Sequence, residues 1–321
     1  MLQVDGPKTP ALLEFSARQQ RAVGELQRLL VRAPARVANA SRNAGAELDR
    51  HRRWAPVRDA LWDFLMPWLD QGARVAIVGA GNGDDLPLRR IAGRAGEVAL
   101  IDIDPRAAQV ARRRLRGAER RKVTVVGHDV TDGAADEIAL TAMRDAPPRS
   151  DRRGCPVDLS QPGSNGHPRL DSAAAEPLAG APYDLVIGDL LYSQLLYPAL
   201  LDLGVEPALR SAALANHAPA LTRAVVARLH ASAPRVVHLH DPLAWWNGHE
   251  QPVSLAEILA RAASDGPDAA LSLAARGLGP QESDPRTALA DLGLAPTATA
   301  LWRWPFSAGV DYLVCATLAR S

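Results

Sequence analysis

A glycine-rich segment constrains the fold more than any other feature of this sequence. It reads Val78-Gly-Ala-Gly-Asn-Gly-Asp-Asp85 and directly follows the apolar, largely β-branched run 74–78. Glycines let the backbone turn sharply and approach a ligand closely, and a helix that begins after such a turn offers free N–H groups to that ligand. The segment therefore predicts a strand, a tight turn and a helix, with a ligand held at the turn.

Short apolar runs alternate with helical stretches through most of the chain. Strands are predicted over 74–78, 97–101, 123–126, 183–187 and 235–239, and helices over 86–95 and 105–119. Strands separated by helices imply right-handed crossovers and a parallel sheet, and near-continuous apolar strands fit a sheet covered on both faces. Two further strands, over 297–304 and 312–318, are joined by a connection too short for a crossover helix, which favours an antiparallel hairpin. The predicted fold class is α/β.

The regions outside this alternating pattern differ in character. Apolar residues recur at three- and four-residue steps within 12–30 and again within 57–68, which predicts a helical N-terminal cap over 1–70 ahead of a sheet domain over 71–321. Pro67 predicts a kink or an end of the last cap helix. Residues 146–182 are rich in Pro, Gly, Ser and Asp and have no periodicity, so they predict a mobile surface insertion.

The spacing of the glycines and of two downstream acids indicates the kind of ligand. A dinucleotide fingerprint places its third glycine where this chain has Asp84, whose carboxylate would repel a pyrophosphate. Asp102 lies 23 residues after Gly79 and ends the next strand, where a carboxylate accepts hydrogen bonds from ribose hydroxyls. Asp129 follows the third strand and can accept a hydrogen bond from an adenine amino group. Parallel strands end at one edge of the sheet, so the glycine turn and the two acids are expected to lie together. With an acid at position 84, this set indicates a nucleoside without phosphates.

These segments together resemble the class I S-adenosylmethionine-dependent methyltransferases. The matching stretches are 75–83, 100–105, 127–130 and 183–189. The resemblance implies a Rossmann-like, seven-stranded, mostly parallel sheet of order 3-2-1-4-5-7-6 with helices on both faces, and S-adenosyl-L-methionine as cofactor. It also implies that Asp102 holds the ribose, Asp129 contacts adenine and the glycine turn lines the methionine portion. The expected cofactor-binding residues are Gly79, Ala80, Gly81, Asn82, Gly83, Asp84, Asp102, Ile103, His128, Asp129, Val130 and Asp189.

One departure from the family pattern leaves alternatives open. Many members carry an acid where this chain has Ile77, so the role of holding the methionine amino group passes to Asp84, Asp85 or Asp189. Ile77 also occurs in patterns that resemble the spermidine synthases, which transfer an aminopropyl group from a decarboxylated cofactor. Those enzymes begin with a small β-domain, whereas this chain begins with predicted helices, so methyl transfer is favoured. A third hypothesis is a protein that binds the cofactor without chemistry.

Three residues are candidates for the chemistry, and each has a structural alternative. Asp189 follows the fourth strand and is expected to act as a base or to hold the acceptor or the cofactor, or else to cap the next helix. Tyr192 is expected to line the methyl channel, or else to lie in the core. His240 ends the fifth strand and suits a general base, or else is a packed histidine. The segment 189–192 is only a loose analogue of the Asn/Asp-Pro-Pro-Tyr motif of amino-methylating enzymes, since both prolines are missing.

A metal site is considered on the same strand and is not predicted. His238, His240 and Asp241 lie close together in sequence, but strand alternation places the two histidines on one face and points Asp241 away from them. In the cap, Asn43 and Trp54 are possible substrate contacts, as is His51, although packing on the sheet or on a second copy of the chain is the plainer interpretation. A homodimer is therefore possible.

Composition limits the classes of acceptor and the cellular locations that we expect for this chain. The 321 residues carry a formal net charge of +1, so no bulk field draws the chain to nucleic acid or to an anionic membrane. The arginines of 105–119 fall on several helical faces without interleaved aromatic residues, which argues against a nucleic-acid substrate. Two cysteines are too few for a disulfide framework. Neither a signal-peptide pattern nor a membrane-length apolar run of ~18 residues is present, so we expect a cytoplasmic methyltransferase with a small-molecule acceptor.

Overall fold

Seven strands form one sheet in the computed structural model, which describes residues 33–44, 49–145 and 175–321. The strands are β1 (Arg74–Val78), β2 (Glu97–Asp102), β3 (Val123–Gly127), β4 (Leu185–Gly188), β5 (Arg235–Trp246), β6 (Pro296–Ser307) and β7 (Val310–Arg320). Their order across the sheet is β3-β2-β1-β4-β5-β7-β6. Strands β1 to β5 pair in parallel, and β7 runs antiparallel to both of its neighbours. This order and the antiparallel seventh strand confirm the predicted Rossmann-like fold.

Helices cover both faces of the sheet. Those in the described residues are α1 (Pro34–Ala44), α2 (Arg50–Arg53), α3 (Ala55–Leu65), α4 (Leu88–Arg94), α5 (Pro105–Arg113), α6 (Gly117–Arg121), α7 (Ala134–Arg144), α8 (Tyr197–Asp202), α9 (Pro207–Ser232), α10 (Leu255–Asp265), α11 (Pro267–Ala274) and α12 (Pro285–Asp291). Strand alternation divides the core between the two faces. Val75 and Ile77 of β1 pack in one hydrophobic cluster, and Ala76 and Val78 pack in the other.

Two elements differ from the sequence-based expectation. The helix predicted over 105–119 is broken, because Gly117 has a φ of +50° and starts α6 as a separate short helix. Strand β5 continues past its predicted end at residue 239 to Trp246. The pairing register of β5 with β7 shifts between His240 and Leu243, around Pro242, which has no N–H to donate to the ladder. Strand β5 therefore extends beyond the edge at which the other parallel strands end.

The end of the cap predicted over 1–70 packs directly on the sheet. Helix α3 buries Val57, Leu61 and Leu65 in the same cluster as β1 and ends before Pro67, as expected. The apolar pattern at 12–30 and residues 146–174 of the predicted insertion lie outside the described residues. The domain boundary near residue 70 stays a prediction. In the parts of the chain that the structure describes, no helix combines the length and apolar character needed to cross a bilayer.

Candidate functional site

A cavity of about 520 Å³ lies at the carboxyl ends of β1 to β5, with lining residues from the cap and from the β6–β7 hairpin. This is the edge at which open α/β sheets bind ligands. Every residue predicted to bind the cofactor lines this cavity: Gly79, Ala80, Gly81, Asn82, Gly83, Asp84, Asp102, Ile103, His128, Asp129, Val130 and Asp189. The structure therefore brings this set together, as the order of the strand ends predicts.

The glycine turn is possible only because its residues lack side chains. Gly79 has a φ of +79°, and a Cβ there would lie 2.9 Å from the carbonyl oxygen of Asp189. Gly83 has a φ of +63°, and its Cβ would lie 2.9 Å from the Cβ of Ala111 on α5. Larger residues would have to displace backbone or a packed helix. The turn thus brings the end of β4 directly against the end of β1.

Asp102 is oriented by the backbone around it. Its Oδ2 accepts a hydrogen bond from the N–H of Gly81 at 2.8 Å, and its Oδ1 accepts one from the N–H of Asp104 at 2.7 Å. Each carboxylate oxygen can accept a second hydrogen bond. Burial raises the pKa of Asp102 to about 6, partly offset by these two hydrogen bonds. Asp102 is therefore a fixed acceptor at the cavity wall, as a ribose-binding acid requires.

Asp129 already has a structural task. Its Oδ1 accepts hydrogen bonds from the backbone N–H and the hydroxyl of Thr131, and its Oδ2 accepts one from the N–H of Gly133. These bonds shape the turn that leads into α7. Beside it, Nε2 of His128 is buried and has no hydrogen-bond partner among the described residues. His128 thus offers an unused polar atom at the position where the resemblance places adenine.

Asp189 is the least satisfied acid of the cavity. It is 4% exposed, and its Oδ1 has no hydrogen-bond partner in the described parts of the chain. Burial raises its pKa well above the usual range, and the charges of Asp85 and Asp102 raise it further. Burial also raises the pKa of Asp85 to about 6. The next residue, Leu190, has a φ of +49°, a conformation that bulky side chains rarely adopt. The backbone thus holds an unpaired carboxyl group in place next to the glycine turn.

Asp84, in contrast, is neutralised by arginines. Arg50 from α2 approaches it to 2.6 Å and Arg114 approaches it to 2.5 Å. Arg58 also donates to its carbonyl oxygen at 2.5 Å. His51 lies 3.8 Å from the carboxylate but is largely exposed. Asp84 therefore ties the cap to the turn and already has basic partners, whereas Asp189 has none among the described residues.

The cap also contacts the turn through amide groups. Nδ2 of Asn82 donates to the carbonyl oxygen of Asn43 at 2.9 Å, and Nδ2 of Asn43 donates to Asp104 at 3.2 Å. Of the three cap residues considered as substrate contacts, Asn43 and Trp54 line the cavity and His51 does not.

Two of the three catalytic candidates lie elsewhere. Tyr192 is 2% exposed, its hydroxyl lies 2.5 Å from Nδ1 of His238, and it does not line the cavity. His240 lines a separate cavity of about 180 Å³, and its Nε2 lies 3.4 Å from Asp284. Burial lowers the pKa of His240 to about 4. The expected places of Tyr192 at a methyl channel and of His240 beside the acceptor do not fit these positions, because the Tyr192 hydroxyl contacts His238 of β5 and His240 faces Asp284.

The sequence reasoning assigned no role to Asp241, although it lies next to His240 near the expected acceptor, and it missed most of an aromatic wall. Asp241 follows His240 and lines both the large cavity and the smaller cavity of His240. The wall consists of four rings, which we call the aromatic wall: Trp54, Trp304, Phe306 and Tyr312. The alternating aromatic residues within 302–306 are a sequence signal that could have identified the β6 part of the wall. The structure adds Tyr312, which pairs with Trp304.

No arrangement for a metal ion is found in the described ranges, where His, Cys, Asp and Glu do not gather in groups of three or more able to hold one.

Comparisons with known proteins find likeness only at the level of structure. No protein-family model matches the chain, and no curated protein sequence matches it. Magnesium protoporphyrin IX methyltransferase from Synechocystis with bound S-adenosylhomocysteine is similar at 16% identity and a TM-score of 0.42, over 88% of this chain and 93% of that chain. A putative RNA methyltransferase from Pyrococcus horikoshii is similar at 13% identity and a TM-score of 0.41, over 83% of each chain. An S-adenosylmethionine-dependent methyltransferase from Aquifex aeolicus is similar at 12% identity and a TM-score of 0.39, over 88% of this chain and 97% of that chain.

Proposed function

We propose that this chain is an S-adenosylmethionine-dependent methyltransferase with a small-molecule acceptor. One observation carries the proposal: Asp85, Asp102 and Asp189 line one cavity, and in the described residues no basic side chain forms an ion pair with any of them. Carboxylates held out of bulk water without a basic partner are costly to ionise unless a ligand supplies hydrogen-bond donors or positive charge. S-adenosylmethionine brings a sulfonium, an ammonium and two ribose hydroxyls, and it carries no phosphate.

Each part of the cofactor has a group suited to it. Asp102 is assigned to the ribose hydroxyls, since both of its oxygens are fixed by backbone N–H groups and retain free lone pairs. His128, Asp129 and their neighbours are assigned to adenine. Many family members hold the methionine amino group with an acid at the position of Ile77. We assign this role to Asp189, because its Oδ1 has no hydrogen-bond partner in the described residues, whereas Asp84 is already paired with arginines.

When bound, the cofactor supplies an activated methyl group. The chain then has to orient the acceptor and exclude water. Asn43 and Trp54 of the cap line the same cavity as the glycine turn, so reactants held there lie between the cap and the sheet edge.

The size and lining of the cavity favour a small acceptor. Ligand pockets typically measure roughly 300–1,000 Å³, and this one is about 520 Å³. The arginines that line it in the described residues are paired, Arg42 with Asp202 and Arg50 with Asp84. The cavity thus offers no unpaired arginine to a nucleic-acid backbone.

Calorimetry with S-adenosylmethionine tests the binding part of the proposal. We expect Asp102→Ala and Asp189→Asn each to weaken binding by about 10- to 150-fold, the equivalent of losing a hydrogen bond to a charged group worth roughly 1.5–3 kcal/mol. Asp265→Asn is the control, because Asp265 is exposed and pairs with Arg261 outside the cavity. Unchanged affinity in Asp102→Ala contradicts the assigned site.

Two further measurements separate methyl transfer from its alternatives. Tighter binding of decarboxylated S-adenosylmethionine than of the intact cofactor would favour aminopropyl transfer. Incubation of a cell extract with methyl-labelled S-adenosylmethionine is expected to label a compound of low molecular mass. Cofactor binding without label in any compound would favour a non-catalytic binding protein.

A further inference from the structure

We propose that the aromatic wall binds a flat aromatic acceptor, and that Asp241 accepts the proton of the acceptor's hydroxyl or amino group. This inference rests on the proposed methyltransferase function and adds the class of acceptor and a catalytic residue. It comes from side chains that the assignment of the cofactor leaves unused.

The rings of the aromatic wall hold one another in fixed orientations. The centroids of Trp54 and Trp304 are 4.8 Å apart with an angle of 70° between the ring planes. Phe306 meets Trp304 at 5.1 Å and 90°, and Tyr312 at 5.2 Å and 68°. Edge-to-face contacts of this kind are favoured by the ring quadrupoles. The wall is therefore a preformed surface that loses little conformational freedom when a ligand binds.

The wall also joins two distant parts of the chain. Nε1 of Trp54 donates to the carbonyl oxygens of Pro305 and Phe306 at 3.0 and 3.1 Å, which links the cap to the β6–β7 hairpin. A cluster needed only for this link would not have to line the cavity. All four rings do, together with apolar side chains from the segment after β4, namely Leu190, Leu191, Leu195, Pro198 and Leu201. The lining therefore suits a flat apolar ring system.

Asp241 is the polar group next to this surface. Its Oδ1 accepts a hydrogen bond from the hydroxyl of Ser193 at 2.9 Å, and within the described residues no basic side chain forms an ion pair with it. Burial raises its pKa to about 6. Tyr312 of the wall pairs with Ala244, three residues after Asp241 on β5, and both the acid and the ring line the cavity. Burial raises the pKa of Tyr312, and the charge of Asp241 raises it further. Above pH 6 Asp241 is thus an ionised base near the expected acceptor.

The proton balance is simple. The O–H or N–H bond of the acceptor breaks and its proton passes to the Asp241 carboxylate. The lone pair left on oxygen or nitrogen forms the bond to the methyl carbon, while the electrons of the broken carbon–sulfur bond stay on sulfur and give S-adenosylhomocysteine. The Asp241 carboxyl group then loses its proton to water, so no other reactant is needed.

Binding of two matched alcohols tests the aromatic wall. The protein is saturated with S-adenosylhomocysteine, and 1-naphthol and its saturated analogue 1-decalol are titrated by calorimetry at pH 7. We expect 1-naphthol to bind about 2- to 13-fold more tightly, since ring stacking adds roughly 0.5–1.5 kcal/mol beyond buried area. Trp304→Leu should remove most of this preference. Trp246→Leu should leave it intact, because Trp246 is 43% exposed and does not line the cavity.

A pH series on the same complex tests Asp241. 1-Naphthol stays uncharged between pH 5 and 8, and a hydrogen bond to a charged acceptor is stronger than one to a neutral acceptor. Binding should therefore strengthen several-fold as the pH rises through about 6, and Asp241→Asn should abolish that change. Asp265→Asn is again the control.

The outcomes are distinguishable. Failure of S-adenosylhomocysteine to bind overturns both the proposed function and this inference. Binding of S-adenosylhomocysteine with equal affinity for the two alcohols, with no binding of either, or with a preference that survives Trp304→Leu overturns the aromatic acceptor alone. A naphthol affinity independent of pH overturns the role of Asp241.

Discussion

Cofactor affinity should fall in mild acid, because Asp85 and Asp102, two of the four cavity acids with raised pKa values, titrate near pH 6. The pKa values of Asp85 and Asp102 are both about 6. A ligand with hydroxyl donors and positive charge binds the ionised forms better than the protonated ones. One pH unit below its pKa, a carboxyl group is ionised in only about one molecule in eleven. Each group that has to be ionised therefore weakens binding by about tenfold between pH 7 and pH 5, which gives about 10- to 100-fold in total.

Calorimetry at pH 5, 6 and 7 with S-adenosylmethionine measures this effect. Binding at pH 6 should also release about half a proton each from Asp85 and Asp102, since each group is half ionised there before binding, in addition to any proton that Asp189 releases. Repeating the titration in buffers of different ionisation enthalpy gives that number directly. In Asp102→Asn the pH dependence should shrink by up to about tenfold, and in Asp265→Asn it should not change. Circular dichroism at each pH verifies that the protein remains folded.

An affinity that is constant within about twofold from pH 5 to 7 would refute this reasoning, as would tighter binding in acid. Either result would mean that the protonated carboxyl groups serve the ligand as well as the ionised ones do. The cavity would then not be selective for a cationic nucleoside. The three acids that form no ion pair within the described residues, Asp85, Asp102 and Asp189, would no longer support the proposed function.

Two further predictions concern stability. Gly79→Ala should cost about 1–3 kcal/mol more of unfolding free energy than Gly293→Ala in urea titrations, because both glycines have positive φ but only Gly79 has atoms within 4 Å of its missing Cβ; equal losses would show that the turn can relax. His240 has a lowered folded pKa of about 4, so its contribution to stability is complete above the unfolded pKa of 6.5 and is lost as the pH falls toward 4. Between pH 7 and pH 4, the free energy of unfolding of His240→Gln should therefore fall by up to about 3 kcal/mol less than that of the unmodified protein. An equal fall in both proteins would contradict the burial of a neutral imidazole.

The part of the cavity proposed to bind the cofactor could be predicted from the sequence because it depends on backbone topology. Once the strands are parallel and their order is fixed, Gly79, Asp102 and Asp129 have to meet at one edge. His240 and Asp241 are adjacent on β5, but only Asp241 reaches the large cavity, and it also lines the smaller cavity of His240. The error lay in deciding which side is the cavity, since periodicity gives the face of a residue but not what covers that face.

The part of the cavity proposed to bind the acceptor, formed by the aromatic wall and Asp241, could not be predicted in the same way. The aromatic wall combines a ring from the cap with rings from the hairpin, and no local pattern links Trp54 to Trp304. The extension of β5 depends on a register shift around Pro242, whereas proline normally predicts the end of a strand. Tyr192 follows Asp189 by only three residues, but the left-handed backbone of Leu190 redirects the chain between them.

The backbone of Leu190 affects how readily this protein can change its chemistry. A left-handed leucine costs roughly 1–2 kcal/mol relative to glycine, so any substitution to glycine removes that penalty. Glycine at position 190 would also make the backbone after Asp189 more flexible, so the Asp189 carboxyl group would no longer be held in one orientation. Because the Leu190 side chain is buried in the hydrophobic cluster of β1, its loss costs roughly 1.5–3 kcal/mol, so glycine here is expected to weaken ligand selectivity without a gain in heat resistance.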